Sequence, residues 1–68
     1  MFHRINNKNV VNLEDISYIS VDQNQMGMFE LKIFLKQVEH YMYVQFVLED
    51  EAMMAFEDIM KKLENLNK

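Results

Sequence analysis

The chain predicts an α+β fold: a small antiparallel β-meander of three to five strands with one C-terminal helix packed on one face. Three observations predict it. Residues 49–66 read EDEAMMAFEDIMKKLENL, with Ala52, Phe56, Ile59, Leu63 and Leu66 at spacings of four, three, four and three. Those spacings set them on one stripe of a helix, and Met53 and Met60 widen one flank. Residues 28–35 place Phe29, Leu31, Ile33 and Leu35 at period two, the alternation of a half-buried strand. Gly27, the only glycine, closes the polar run Gln23-Asn24-Gln25 and marks a hairpin loop.

Taken in order, Phe2–Ile5 is a short edge strand. Asn6, Asn7 and Asn9 around Lys8 form a turn, because Asn tolerates left-handed backbone and bonds its own main chain. Val10–Leu13 is a second short extended piece, and Glu14-Asp15 makes a tight turn or bulge. In Ile16–Asp22, Ser17, Ile19 and Val21 share one face, and Ile16, Tyr18 and Ser20 the other. After the hairpin, Met28–Leu35 is the strongest strand, and Lys36–His40 is the next loop. Tyr41–Val47 then sets Met42, Val44 and Phe46 against Tyr41, Tyr43 and Gln45.

Leu48 leads into the helix. No capping residue stands immediately before its acidic first turn, though Asp50 serves as a cap if the helix starts late. Acids at its start and Lys61 and Lys62 near its end suit the helix dipole. Glu57–Lys61 and Asp58–Lys62 are favourable i,i+4 pairs, and Asn65 and Asn67 are stop signals. An 18-residue helix spans ~27 Å, and a seven-residue strand spans ~23 Å. One helix therefore covers one sheet face. The expected core is Ile19, Val21, Phe29, Leu31, Ile33, Leu35, Met42, Val44 and Phe46 with Ala52, Met53, Phe56, Ile59, Met60 and Leu63.

At 68 residues the chain makes one domain, residues 1–68. A domain of this size buries only about 60% of its unfolded surface, so a lone monomer is marginal. With no cysteine, disulfides and thiolate metal sites are excluded, and His3, His40 and the carboxylates form no metal-spacing motif. Association is the reinforcement left, so a homodimer is expected. Half the residues are hydrophobic and seven are methionine, which fits apolar surface facing a partner. No run is long enough to span a membrane, and residues 1–9 lack a signal-type apolar core, so a cytoplasmic protein is expected.

The net charge of −4 argues against a general nucleic-acid binder. Residues 49–68 hold six acids and three lysines, against five acids and four basic residues in 1–48, so the acidity belongs mainly to the helix. Its acidic face, Glu49, Asp50, Glu51, Glu57, Asp58 and Glu64 with Met54 among them, is either a solvated helix face or a patch complementary to a basic protein. The sheet face away from the helix carries Tyr18, Met28, Phe34, Tyr41 and Tyr43, interleaved with Glu30, Lys32 and Gln45. A contiguous aromatic patch favours a dimer or partner interface over plain strand aromatics. Base stacking on it needs a basic groove, for which Arg4 and Lys32 are thin support. His3 and His40 read as surface or loop histidines. Neither has a nucleophile-and-acid constellation, one glycine cannot make a phosphate loop, and a one-helix, one-sheet domain rarely holds a deep pocket. No catalytic residue, metal, cofactor or small-molecule substrate is expected.

The segment Val11-Asn12-Leu13-Glu14-Asp15-Ile16-Ser17-Tyr18-Ile19, with Phe46, Glu49–Ala52 and Phe56 after it, resembles short uncharacterised bacterial and phage proteins. In those, β-strands lead to a single C-terminal helix. The resemblance covers most of the chain and implies a phage or bacterial setting. Leu13–Ile19 also resembles the opening strand of LytTR-type DNA-binding domains, over the first third only. This chain is too short for the remaining strands and lacks the basic character, so no DNA-contact residue is carried over. The expected function is non-enzymatic protein binding, by a small acidic regulator or inhibitor that occupies a basic surface of a host protein such as a nucleic-acid-binding protein. The alternatives are a single-strand nucleic-acid binder and a structural subunit of a homo-oligomer.

Overall fold

A computed structural model describes residues 1–6 and 8–66 of the chain. Five strands precede one helix: β1 (Phe2–Arg4), β2 (Val10–Asn12), β3 (Ile16–Gln23), β4 (Phe29–Leu35), β5 (Tyr41–Phe46) and α1 (Glu49–Leu66). All pairings are antiparallel, and the fold is the expected α+β class. The strands form two sheets rather than one meander, a β1-β2 hairpin and a three-stranded β3-β4-β5 sheet.

The first hairpin turns on asparagine side chains. Asn6 Oδ1 accepts from the Lys8 amide at 2.8 Å and from Asn9 Nδ2 at 3.1 Å. No non-glycine residue among those described has a positive φ, so the turn rests on the Asn6 side chain as acceptor and Asn9 as donor and not on left-handed residues. Asn7 lies outside the described residues. The extended piece expected to run to Leu13 stops at Asn12, where a single 3-10 turn, Leu13–Asp15, begins. Asn12 caps it by accepting from the Glu14 amide, and the Ile16 amide closes it on the Leu13 carbonyl.

That turn feeds a β-bulge. Ile16 pairs with Leu35 and Tyr18 with Phe34, so two steps in β3 match one in β4 and Ser17 is the extra residue. The bulge moves Ile16 off the face it was expected to share with Tyr18 and buries it in the core. From Tyr18 onward the alternation is regular. Val11, Leu13, Ile16, Leu31, Ile33 and Ile59 form the buried cluster, and Ile5, Ile19, Val21, Leu35, Met42, Phe46, Phe56, Leu63 and Leu66 pack around it. Val11 and Leu13 were not in the expected core. They reach it because the first hairpin and the 3-10 turn close the core beside the sheet.

The helix runs over Glu49–Leu66 as expected and lies across β3, β4 and β5. The Ala52 amide bonds the Leu48 carbonyl, so Asp50 stands inside the first turn and not at the cap. Ala52 is fully buried, which lets the helix start close to the sheet. Met53, one residue and 100° further round, is exposed rather than core. Asn65 lies within the last turn, and Asn67 is outside the described residues. Asp58–Lys62 forms at 3.5 Å, whereas Glu57 makes no ion pair with Lys61 among the described residues. No helix among these residues is long and apolar enough to cross a membrane.

Candidate functional site

The sheet face turned away from the helix is built in rows set by the register. Tyr18, Phe34 and Tyr41 form one row, Ser20, Lys32 and Tyr43 the next, and Asp22, Glu30 and Gln45 the third. The first row is a continuous aromatic surface. Tyr18 stacks on Phe34 with ring centroids 4.2 Å apart and planes 9° from parallel. Phe34 meets Tyr41 at 4.9 Å, and Tyr41 meets Tyr43 at 6.3 Å. Tyr18 and Tyr43 are each 56% exposed and Tyr41 42%, so the tyrosines flank a half-buried phenylalanine and keep their outer surfaces in water. Lys32 Nζ sits 5.4 Å from the Tyr41 ring centroid, within cation–π range.

The third row is polar and charged. Lys32 reaches Asp22 at 3.3 Å, and the hydrogen bond raises the Lys32 pKa above its ordinary value. Glu30 Oε2 accepts from Gln45 Nε2 at 3.1 Å and Asn24 Nδ2 at 3.2 Å, and these bonds hold its carboxyl below the usual range. Met28, expected among the aromatics, precedes β4 in the hairpin loop and is half-buried. Its amide donates to Asn24 Oδ1. The polar row stands between it and the stacked rings, so Met28 is not part of the aromatic patch. The face thus grades from aromatic at the Phe34 end of β4 to acidic at the hairpin end.

The expected acidic face of the helix is present as exposed residues: Glu49, Asp50, Glu51, Glu57, Asp58 and Glu64. Met54 is 71% exposed among them, and Val47 and Leu48 just before the helix are also exposed. The face is not uniform. Asp58 is drawn to Lys62 and lies 3.7 Å from His3 Nε2, which among the described residues leaves the unpaired acidity of this face in the first turn and at Glu57 and Glu64.

His3 is not a surface histidine. Its side chain, on β1, is only 10% exposed, and Lys62 Nζ lies 2.7 Å from Nδ1. Sequence spacing could not show this, because the partners are 59 residues apart. His40 is exposed in the β4-β5 loop, as expected.

A groove of about 450 Å³ opens where the end of the helix meets the 3-10 turn, lined by Leu13, Ile16, Leu63 and Leu66 with Glu14, Ser17 and Lys36. No metal-holding cluster of three or more His, Asp or Glu occurs among the described residues. No family model, curated protein or solved structure matches this chain.

Proposed function

We propose that this chain is a non-enzymatic protein-binding module of the cytoplasm, a small acidic regulator that acts by occupying a surface of another protein. One observation carries the reading: the helix covers one sheet face while the other holds the open array of Tyr18, Phe34, Tyr41 and Tyr43. Exposed aromatic arrays are where protein contacts concentrate their energy, because a tyrosine brings large area at small entropic cost. The polar row of Asp22, Glu30 and Gln45 supplies a rim.

The test is capture of partners from nuclease-treated lysate on immobilised wild type and on a Tyr18→Ser/Tyr41→Ser variant, followed by titration of the captured protein. Loss of such contacts weakens binding by roughly 30-fold, or ~2 kcal/mol. Equal affinity for both chains rejects the reading.

A second reading keeps the acidic helix as the contact, its carboxylates occupying a basic surface on a host protein. The exposure of Met54, Val47 and Leu48 beside Glu49, Asp50 and Glu51 favours it. Asp50→Lys/Glu57→Lys is the matching variant, because Asp58 is engaged by Lys62 and its reversal would also disturb the fold. Binding lost in this variant, weakened by salt and kept in the tyrosine variant, selects the helix. Micromolar affinity for a labelled single-stranded oligonucleotide, lost in the tyrosine variant, selects base stacking instead.

A further inference from the structure

The two edges of the β3-β4-β5 sheet are built differently. The β3 edge carries devices that discourage strand addition, the bulge between Ile16 and Tyr18 and the carboxylate of Asp22. The β5 edge carries none. Tyr41–Phe46 holds no charge, proline or glycine, and its register with β4 is unbroken from Phe34↔Tyr41 to Phe29↔Phe46. His40 to Leu48 is the longest stretch of the chain without Asp, Glu, Lys or Arg. Among the described residues no backbone hydrogen bond reaches β5 from any element but β4.

We propose that β5 pairs antiparallel with β5 of a second copy of this chain, joining two molecules into one continuous six-stranded sheet. This goes beyond the binding function above and does not rest on it. The edge itself argues for a second copy: an uncharged, unprotected strand edge is a template for pairing with its own kind, and although each copy carries a net −4, this seam brings no charged side chain from either. Face-to-face packing of the aromatic faces would instead take Asp22, Glu30 and Lys32 out of water, at a desolvation cost. Edge pairing leaves all three solvated.

The symmetry fixes the geometry. Two antiparallel copies of one strand are related by a two-fold axis normal to the sheet, which sets both helices on one side and merges the two aromatic faces on the other. Tyr43, 56% exposed on the outermost strand of that face, comes to the seam. A standard interface takes about 800 Å² from each partner. That is a large share of a molecule with 5212 Å² of surface. One strand edge gives less, which places the dimer among weak, transient associations.

Sedimentation equilibrium tests it, over about 5 to 500 μM, on wild type, Tyr43→Glu and Tyr18→Glu. Within one chain Tyr43→Glu faces Lys32 across β4, a favourable pair, while between copies it sets acid at the seam. Tyr18 lies on the far edge strand, so its replacement harms face-to-face packing and spares edge pairing. The expected result is dimerisation of wild type and Tyr18→Glu, with Tyr43→Glu at least 10-fold weaker. A monomeric wild type, a dimer retained in Tyr43→Glu, or an equal loss in Tyr18→Glu overturns the proposal. Should circular dichroism show Tyr43→Glu unfolded, amide exchange of the wild type decides. Protection in β5 rising with concentration while β3 stays constant supports the pairing, and concentration-independent β5 exchange overturns it.

Discussion

His3 shows how much a single side chain can tie together. A lysine ammonium only donates, so His3 Nδ1 must accept from Lys62, and the ring proton sits on Nε2 facing Asp58. The neutral ring therefore bridges β1 to the penultimate turn of α1. Burial lowers its pKa below the usual 6.5, the Lys62 charge lowers it further, and Asp58 opposes both. A histidine whose pKa is depressed by folding binds its proton more readily in the unfolded chain. Its contribution to stability is thus complete above its ordinary value and is lost as pH falls through the folded one. Thermal melts at about pH 7.5 and pH 5.5 should show a lower Tm at the acid value for wild type. The drop should be smaller in His3→Gln, with His40 common to both chains. Equal slopes in the two proteins would sink this account. Nothing in the sequence pointed to it: a lone histidine in a three-residue strand carries no pattern, and its partners become visible only in the folded chain.

Among the elements, the β3-β4 hairpin is the most completely specified. Asn24 Oδ1 accepts from the amides of Met26 and Met28, both at 2.9 Å, and its own amide and carbonyl bond Met28 and Gly27. Gly27 supplies the one positive φ among the described residues, +83°, and a Cβ there would meet nothing within 4 Å. The cost of Gly27→Ala is then conformational alone, about 1–2 kcal/mol. Asn24→Ala removes two backbone acceptor contacts and the bond to Glu30, so at ~1 kcal/mol per bond it costs about 2–3 kcal/mol. Urea titration of both variants should rank Asn24→Ala as the more damaging, and the reverse order would mean that the glycine backbone holds the loop. This hairpin, the strands beside it and the helix were legible in the sequence because each has its own local signal: a polar loop, a period of two, a period of 3.6. The bulge was not. A bulge inserts one residue into an otherwise regular alternation, so Ile16-Ser17-Tyr18 reads equally well in either register until β4 is laid beside it. The same blind spot left Val11 and Leu13 out of the expected core, since a three-residue strand is too short to show a period.

At the scale of the whole molecule, the sequence reading found the right faces but not their internal order. It grouped Tyr18, Phe34, Tyr41 and Tyr43, and Met28 with them, from alternation alone. It could not see that strand reversal gathers the rings at one end and sends Asp22, Glu30 and Gln45 to the other. It counted the helix acids without seeing that Asp58 is drawn to Lys62 and His3. These placements decide how the molecule responds to salt. Eleven acids face seven lysines and arginines, and the first turn of α1 adds three adjacent carboxylates at one spot. The ion pairs set against this repulsion are exposed, with Asp22, Asp58 and Glu14 all more than half accessible. Such pairs contribute ~0–1 kcal/mol and are screened as readily as the repulsion is. The longer-range excess of negative charge has no compensating partner, so screening relieves more than it removes. Raising sodium chloride from about 20 mM to 500 mM, where the Debye length falls to roughly 4 Å, should therefore raise the Tm at neutral pH. Glu64→Lys, which relieves the net negative charge near the C-terminal end of α1, where a cation also suits the helix dipole, should raise the Tm at low salt and reduce its further gain at high salt. A Tm that falls with salt would instead mean that the pairs at Lys32 and Lys62 outweigh the net charge.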